Sequence, residues 1–156
     1  DDEKSKFDSY RKKLVNNEIN LLDICMKEDL ILSTANIAPL SHWITPNIES
    51  RRFDTRFFIA YLPEKQIVEH DGLELTQSLW INPNNAVEMA FKGEMQMIMP
   101  TIKNLQSCSE FEVAKDMLDS QKRLTNKDIP PILPKFFKEN GNWVGLLPGD
   151  DGYEDH

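Results

Sequence analysis

The sequence predicts an α/β fold of the α+β kind, a mixed β-sheet flanked by helices. Three observations predict it. Apolar residues recur at helical spacing near the start, residues 53–61 alternate with the period of a strand, and Asn140-Gly141 marks a hairpin between two apolar runs. Strands and helices are interleaved with hairpins rather than set in strict βαβ order, which argues against a doubly wound parallel sheet. With 156 residues and 40% hydrophobic content, the chain has material for one domain with its own core.

Each element has its own signal. Over residues 6–29, Phe7, Tyr10, Leu14, Leu21 and Ile24 return at helical steps with charges between them. Asn16-Asn17 marks a kink or a break into two helices. Residues 30–37 read as a loop or strand entry, and APLSHWITP (38–46) as a short strand ended by Pro46. A polar turn leads into the strand at 53–61. PEKQIVEHDG then carries the turn signals of a long hairpin, with LELTQSLWI (73–81) as the returning strand. NPNNAVEMAFKG is a compact helix, with Asn82 as N-cap, Pro83 at the first turn and Gly93 after the end. A helix starts near 101 after the apolar EMQMIM stretch. Another spans 109–121 with Ser109 as N-cap. A β-hairpin occupies 131–147, and the acidic tail beyond it reads as mobile. The organisation expected is a helical segment at 1–37 followed by a sheet-forming part at 38–156.

Charge narrows the partners. Lysine and arginine number 18 against 26 aspartates and glutamates, a net charge of −8, so no nucleic-acid partner is expected, since one would need a basic stripe. A few placed arginines or a divalent metal still allow an acidic protein to bind phosphate. Cys25 and Cys108 have neither CxxC nor zinc spacing, and Cys25 falls on a helical apolar pattern as a core residue. No glycosylation sequon, signal-like run or membrane-length apolar run is present. A reducing intracellular compartment, cytoplasmic or mitochondrial, and no membrane partner are the expectation. His42, His70 and His156 show no ligand spacing, and no serine elbow or glycine-rich phosphate loop occurs.

The stretch RRFDTRFFIAYLPE (51–64) carries the chemistry. Alternation puts Phe53, Thr55, Phe57, Ile59 and Tyr61 on one face and Arg52, Asp54, Arg56, Phe58 and Ala60 on the other. The first face reads as core; the second is polar at its start and apolar at its end, like a pocket with a charged mouth. Asp54 between two arginines would orient their guanidinium groups to grip a phosphate bidentately. The plainer alternative is an edge strand with a surface ion pair worth about 0–1 kcal/mol. Glu74, an acid on an expected strand, is the further candidate.

Together, SHWITP, RRFDTRFFIA, DGLELTQSLWINPNNAVEMAFKGEMQMIMPTIKNL and the terminal LLPGDDGY resemble the second half of a Nudix hydrolase domain. The branch they resemble contains organellar acyl-coenzyme A diphosphatases. That resemblance implies a Nudix-like α/β/α sandwich of which this chain supplies part. It also implies hydrolysis of a diphosphate linkage in coenzyme A-like or nucleoside diphosphate-linked small molecules, with Mg2+ or Mn2+ as cofactor. Arg52, Asp54, Arg56 and Phe58 would line the substrate cleft, Trp43, Thr45 and Pro46 would shape its wall, and Glu74 would be a catalytic base or auxiliary metal ligand outside the motif, or else a structural salt-bridge partner of Arg56.

The Nudix box, Gly-x5-Glu-x7-Arg-Glu-x2-Glu-Glu-x-Gly, is not in this sequence, which has no Arg-Glu or Glu-Glu dipeptide; nor is the coenzyme A motif. No metal ligand is therefore assigned. Two arrangements fit. Either the box lies upstream of Asp1 in a longer protein, or the chain is a box-less domain that binds a nucleotide or a partner without hydrolysis. The missing initiator methionine and the half-sheet with its open edge favour the first. The chain ends Glu-Asp-His rather than in a Ser-Lys-Leu-type tripeptide, so no peroxisomal import is expected.

Overall fold

A computed structural model describes every residue except 1, 69, 71, 73 and 74. The chain divides into two compact units, Asp1–Ala35 and Asn36–His156.

In the first unit the expected helix is two helices, α1 (Asp2–Val15) and α2 (Leu21–Lys27). The break falls at Asn17, whose φ of 58° is left-handed and ends right-handed helix. Asn20 restarts it: its side chain accepts from the Asp23 N–H at 2.9 Å while the Asp23 carboxylate accepts from the Asn20 N–H at 3.1 Å. This reciprocal capping box satisfies two orphan donors. Tyr10 and Lys6 both donate to the Glu28 carboxylate, each at 2.5 Å, tying α1 to the residue that ends α2. Tyr10, Ile24 and Cys25 are buried.

The second unit is built on a three-stranded mixed sheet in the order β2-β1-β3. Strand β1 (Ile37–Ile44) is central, β2 (Asp54–Ala60) pairs with it antiparallel, and β3 (Pro131–Ile132) pairs with it parallel. Thr45 closes the connection between β1 and β2. Its N–H donates to the Phe53 carbonyl and its hydroxyl accepts from the Phe53 N–H, both at 2.9 Å. The register shifts between Pro39 and Ser41. That bulge changes the parity of β1, so Ala38 pairs with Ile59 while Ser41 and Trp43 pair with Phe57 and Thr55. Ala38 and Trp43 are buried as a result.

Three helices follow: α3 (Pro83–Phe91), α4 (Met99–Ser109) and α5 (Ala114–Gln121). The Asn82 side chain caps α3 through the Asn84 N–H at 2.9 Å, and Gly93 takes φ 75° beyond the helix end, as its position after the helix predicts. Helix α5 begins five residues later than expected. The Ser109 hydroxyl donates back to the Gln106 carbonyl at 2.7 Å, so it finishes α4 instead of opening α5.

The expected strand at 73–81 does not form over its described residues, 75–81. The hairpin partner of β2 is the strand before it, β1, and a strand without a ladder is not stable. Leu75, Leu79 and Trp80 are exposed.

The C-terminal hairpin is present, as β4 (Lys135–Glu139) and β5 (Asn142–Leu146). Its turn residues Asn140 and Gly141 both have positive φ, 49° and 86°. This is the handedness that matches strand twist. The acidic tail is docked rather than mobile. Buried Tyr153 donates to the Leu133 carbonyl at 2.7 Å, and Lys135 donates to the Tyr153 carbonyl at 2.7 Å while lying 3.9 Å from its ring centre. Asp150 accepts from the Leu147 N–H at 2.7 Å, which folds the Leu-Pro-Gly-Asp segment into a turn. The core of this unit comprises Ala38, Trp43, Ala86, Met117, Leu118 and Tyr153. Among the described residues no helix is long and apolar enough to cross a membrane.

Candidate functional site

Cross-strand neighbours share a face of the sheet, so the register sorts the sequence-predicted residues. His42 lies opposite Arg56, and Ile44 opposite Asp54. One Asp54 oxygen engages His42 Nε2 at 2.6 Å and accepts from Arg56 Nη1 at 3.2 Å. Asp54 thus orients both a guanidinium and an imidazole, as its position between arginines predicts for Arg56. The arginine and aspartate side chains are more than half exposed, at 59% and 56%, while His42 is 12% exposed and forms the buried base of the group.

Arg56, His42 and Phe58 open onto a cleft of about 170 Å³ that Asn126 and Ile129 close from the other side. The loop carrying these two is set by Asp128. Its carboxylate accepts from the Thr125 hydroxyl at 2.7 Å and the Thr125 N–H at 2.8 Å. These two donors hold the Asp128 carboxyl below its usual range. A guanidinium with five donors, one turned to Asp54, beside an imidazole can bind an anion such as a phosphate oxygen.

Arg52 is placed differently. Its Nε donates to the Thr45 carbonyl at 2.9 Å, so it braces the β1–β2 connection and does not line this cleft. Trp43, Thr45 and Pro46 are separated from Arg56 by the sheet. They line a trough of about 490 Å³ with Thr55, Phe57, Ile98, Met99 and Phe136. Trp43, 4% exposed, forms its floor. The indole Nε1–H donates to the Ser41 hydroxyl at 3.1 Å, and Ser41 donates to Asn104 on α4 at 2.6 Å. Phe57 borders both the cleft and the trough. Glu74 lies outside the described residues.

His42 is the member of this group that sequence spacing did not single out. Its signal was its place on β1 opposite Arg56, which depends on the bulge and the turn length and not on any motif. A third cleft, of about 520 Å³, lies between Ile59–Tyr61 and the helices α3, α4 and α5. Cys108 lines it, and burial pushes its thiol up.

Among the described residues no group of three or more histidine, cysteine, aspartate or glutamate side chains could hold a metal ion. Asp54 and His42 supply one carboxylate and one imidazole, whereas a hard divalent cation seeks about six oxygen ligands. The described side chains do not fit a divalent-metal centre.

The comparisons with known proteins agree on one family. The family model described as the NUDT19 Nudix domain matches residues 2–108, which is more than half of the chain. Acyl-coenzyme A diphosphatase NUDT19 of Xenopus laevis is 26% identical over 98% of this chain and 41% of its own length. The human protein of the same name is 26% identical over 93% of this chain and 39% of its own length, and that of Gallus gallus 22% over 92% and 39%. The chain thus spans about two fifths of the length of these curated relatives. No solved structure matches it. The family match and the mixed sheet together place the chain in the Nudix hydrolase family, within the acyl-coenzyme A diphosphatase branch.

Proposed function

We propose that this chain belongs to a metal-dependent hydrolase that cleaves a diphosphate linkage in coenzyme A-like or nucleoside diphosphate-linked compounds. In this reading the Nudix box lies upstream of Asp1 and holds Mg2+ or Mn2+, which neutralises the diphosphate and activates water. The protein acts inside the cell, in the cytoplasm or mitochondria, on a small molecule and not on nucleic acid or a membrane. The relatives matched over nearly the whole chain are named acyl-coenzyme A diphosphatases, and this observation carries the reading.

The residues of this chain bind and orient. Arg56, held by Asp54 beside His42, takes a phosphate oxygen of the substrate, and Phe58 at the cleft mouth packs against the adjoining group. An arginine that gains its full hydrogen bonds only as charge develops on the leaving phosphate raises kcat, not only affinity.

The test is product release from an acyl-coenzyme A by the full protein in the presence of Mn2+. Arg56→Ala should lower kcat/KM at least tenfold, on the order of 1.4 kcal/mol. An unchanged rate removes Arg56 from the site. Ligand-induced thermal stabilisation with no product, for the full protein with metal present, would replace hydrolysis with the box-less binding reading.

A further inference from the structure

We infer that Asn126 is a second phosphate-binding residue, set across the cleft from Arg56, and that Asp128 is the positioning residue that presents it. This rests on the proposed diphosphate reading and adds to it a second wall of the same site, contributed by the loop after α5.

The size of the cleft selects what its walls can hold. At about 170 Å³ it falls below the roughly 300–1,000 Å³ of pockets that enclose a drug-sized molecule. It suits one phosphate group of a larger ligand and not the whole of it. On the strand wall, Arg56 turns one of its five donors to Asp54, and the others have no partner among the described residues. A tetrahedral anion gripped from that side alone leaves oxygens facing the opposite wall. Asn126 and Ile129 form that wall, and of the two only Asn126 has a side-chain donor to offer.

No structural duty explains Asn126. Its side chain is exposed and makes no hydrogen bond among the described residues. Backbone shape does not call for asparagine either, since Asn126 is not one of the residues with positive φ, where asparagine is favoured. Its neighbours close the turn instead. The Asp128 N–H donates to the Thr125 carbonyl at 3.0 Å, and the Lys127 N–H donates to the Thr125 hydroxyl at 3.3 Å. The Asp128 carboxylate takes both Thr125 donors and does not itself line the cleft. Asn126 is left near the tip of a tied-down turn with its amide free. A donor presented from a pre-ordered turn spares the ligand the cost of ordering it.

The test is calorimetric titration of the full protein with inorganic pyrophosphate, without metal. Asn126→Ala should weaken binding about tenfold, as expected for a lost hydrogen bond to a charged group. Asn126→Asp changes little in size but sets a carboxylate against the anion, so it should bind at least about tenfold more weakly than Asn126→Ala. Asp128→Ala should weaken binding about as much as Asn126→Ala and add nothing when the two are combined, because it acts only through Asn126. Should Asp128→Ala fail to fold, Asn126→Asp still decides the main assignment, because that side chain is exposed and bonded to nothing among the described residues.

Binding that Arg56→Ala weakens and both Asn126 variants leave unchanged would overturn the Asn126 assignment and leave the diphosphate reading standing. Losses from Asp128→Ala and Asn126→Ala that add in the double variant would overturn the positioning role of Asp128. Pyrophosphate binding indifferent to Arg56 and Asn126 alike, or absent from the parent protein, would overturn both the clamp and the phosphate site at Arg56.

Discussion

The two faces of the β1–β2 ladder are built by opposite rules, though they alternate residue by residue along the same strands. On one face Trp43 is buried beneath α4 and joined to it through Ser41 and Asn104. On the other, Asp54, Arg56 and Phe58 stay largely exposed, and their order comes from one shared carboxylate. Packing holds the first face in place; the second holds charges apart from the core and ready for a ligand. The difference teaches that stability and recognition can be assigned to neighbouring residues of one strand, because the pleat sends them to different solvents.

The sharpest way to break this contrast is to truncate the covered face. Trp43→Ala should cost about 3–5 kcal/mol of unfolding free energy, the range for deleting a buried aromatic, read from urea denaturation. Arg56→Ala should stay within about 0.5 kcal/mol of the parent, since an exposed pair contributes little. Comparable losses from the two variants would mean that the faces do not divide the work.

A smaller effect should come from Gly145. Across the hairpin it pairs with Phe136, and a Cβ added there would lie 2.6 Å from Phe136 Cε1. The reason for glycine is close approach, since the ring lies over the backbone. Gly145→Ala should therefore cost about 1–3 kcal/mol by overpacking. It should also disturb the trough that Phe136 lines while leaving the Arg56 cleft alone. The melting temperature reads the first consequence, and acyl-coenzyme A turnover by the full protein reads whether the Arg56 cleft is intact.

What was legible in the sequence was local. The Asn82 cap with Gly93 past the helix end and the Asn140-Gly141 turn are each written in a few adjacent residues whose backbone preferences decide the structure. Alternation along 53–61 likewise sorted Asp54 and Arg56 from Phe57. Less legible was anything requiring two segments at once. Alternation gives the faces of each strand but not how two strands register, and the bulge at Pro39/Ser41 resets β1 by one residue. So His42 opposite Arg56, and Trp43 across the sheet from it, could not be read from either strand alone. The same limit explains Ser109, where a serine fits a helix start and a helix end equally, and Tyr153, whose partner Leu133 lies twenty residues back. Residues 75–81 show strand-like composition without a ladder to join.

The smallest expected effect sharpens the comparison through pH. Asp128, which shapes the loop closing the Arg56 cleft, has a folded-state pKa held down by the Thr125 hydroxyl and N–H. A carboxyl with a lowered folded pKa contributes stability above its unfolded value, about 3.9, and loses that contribution as pH falls through the folded value. The stability difference between the parent chain and Asp128→Ala should be constant above about pH 5 and shrink toward zero as the carboxyl protonates below about pH 4. Trp43→Ala carries no titratable change, so its penalty should stay level across the same range. Melting curves from pH 7 down to the acid limit of folding would compare them directly. An Asp128 difference that persists unchanged into acid would show that the loop is held by something other than the charge.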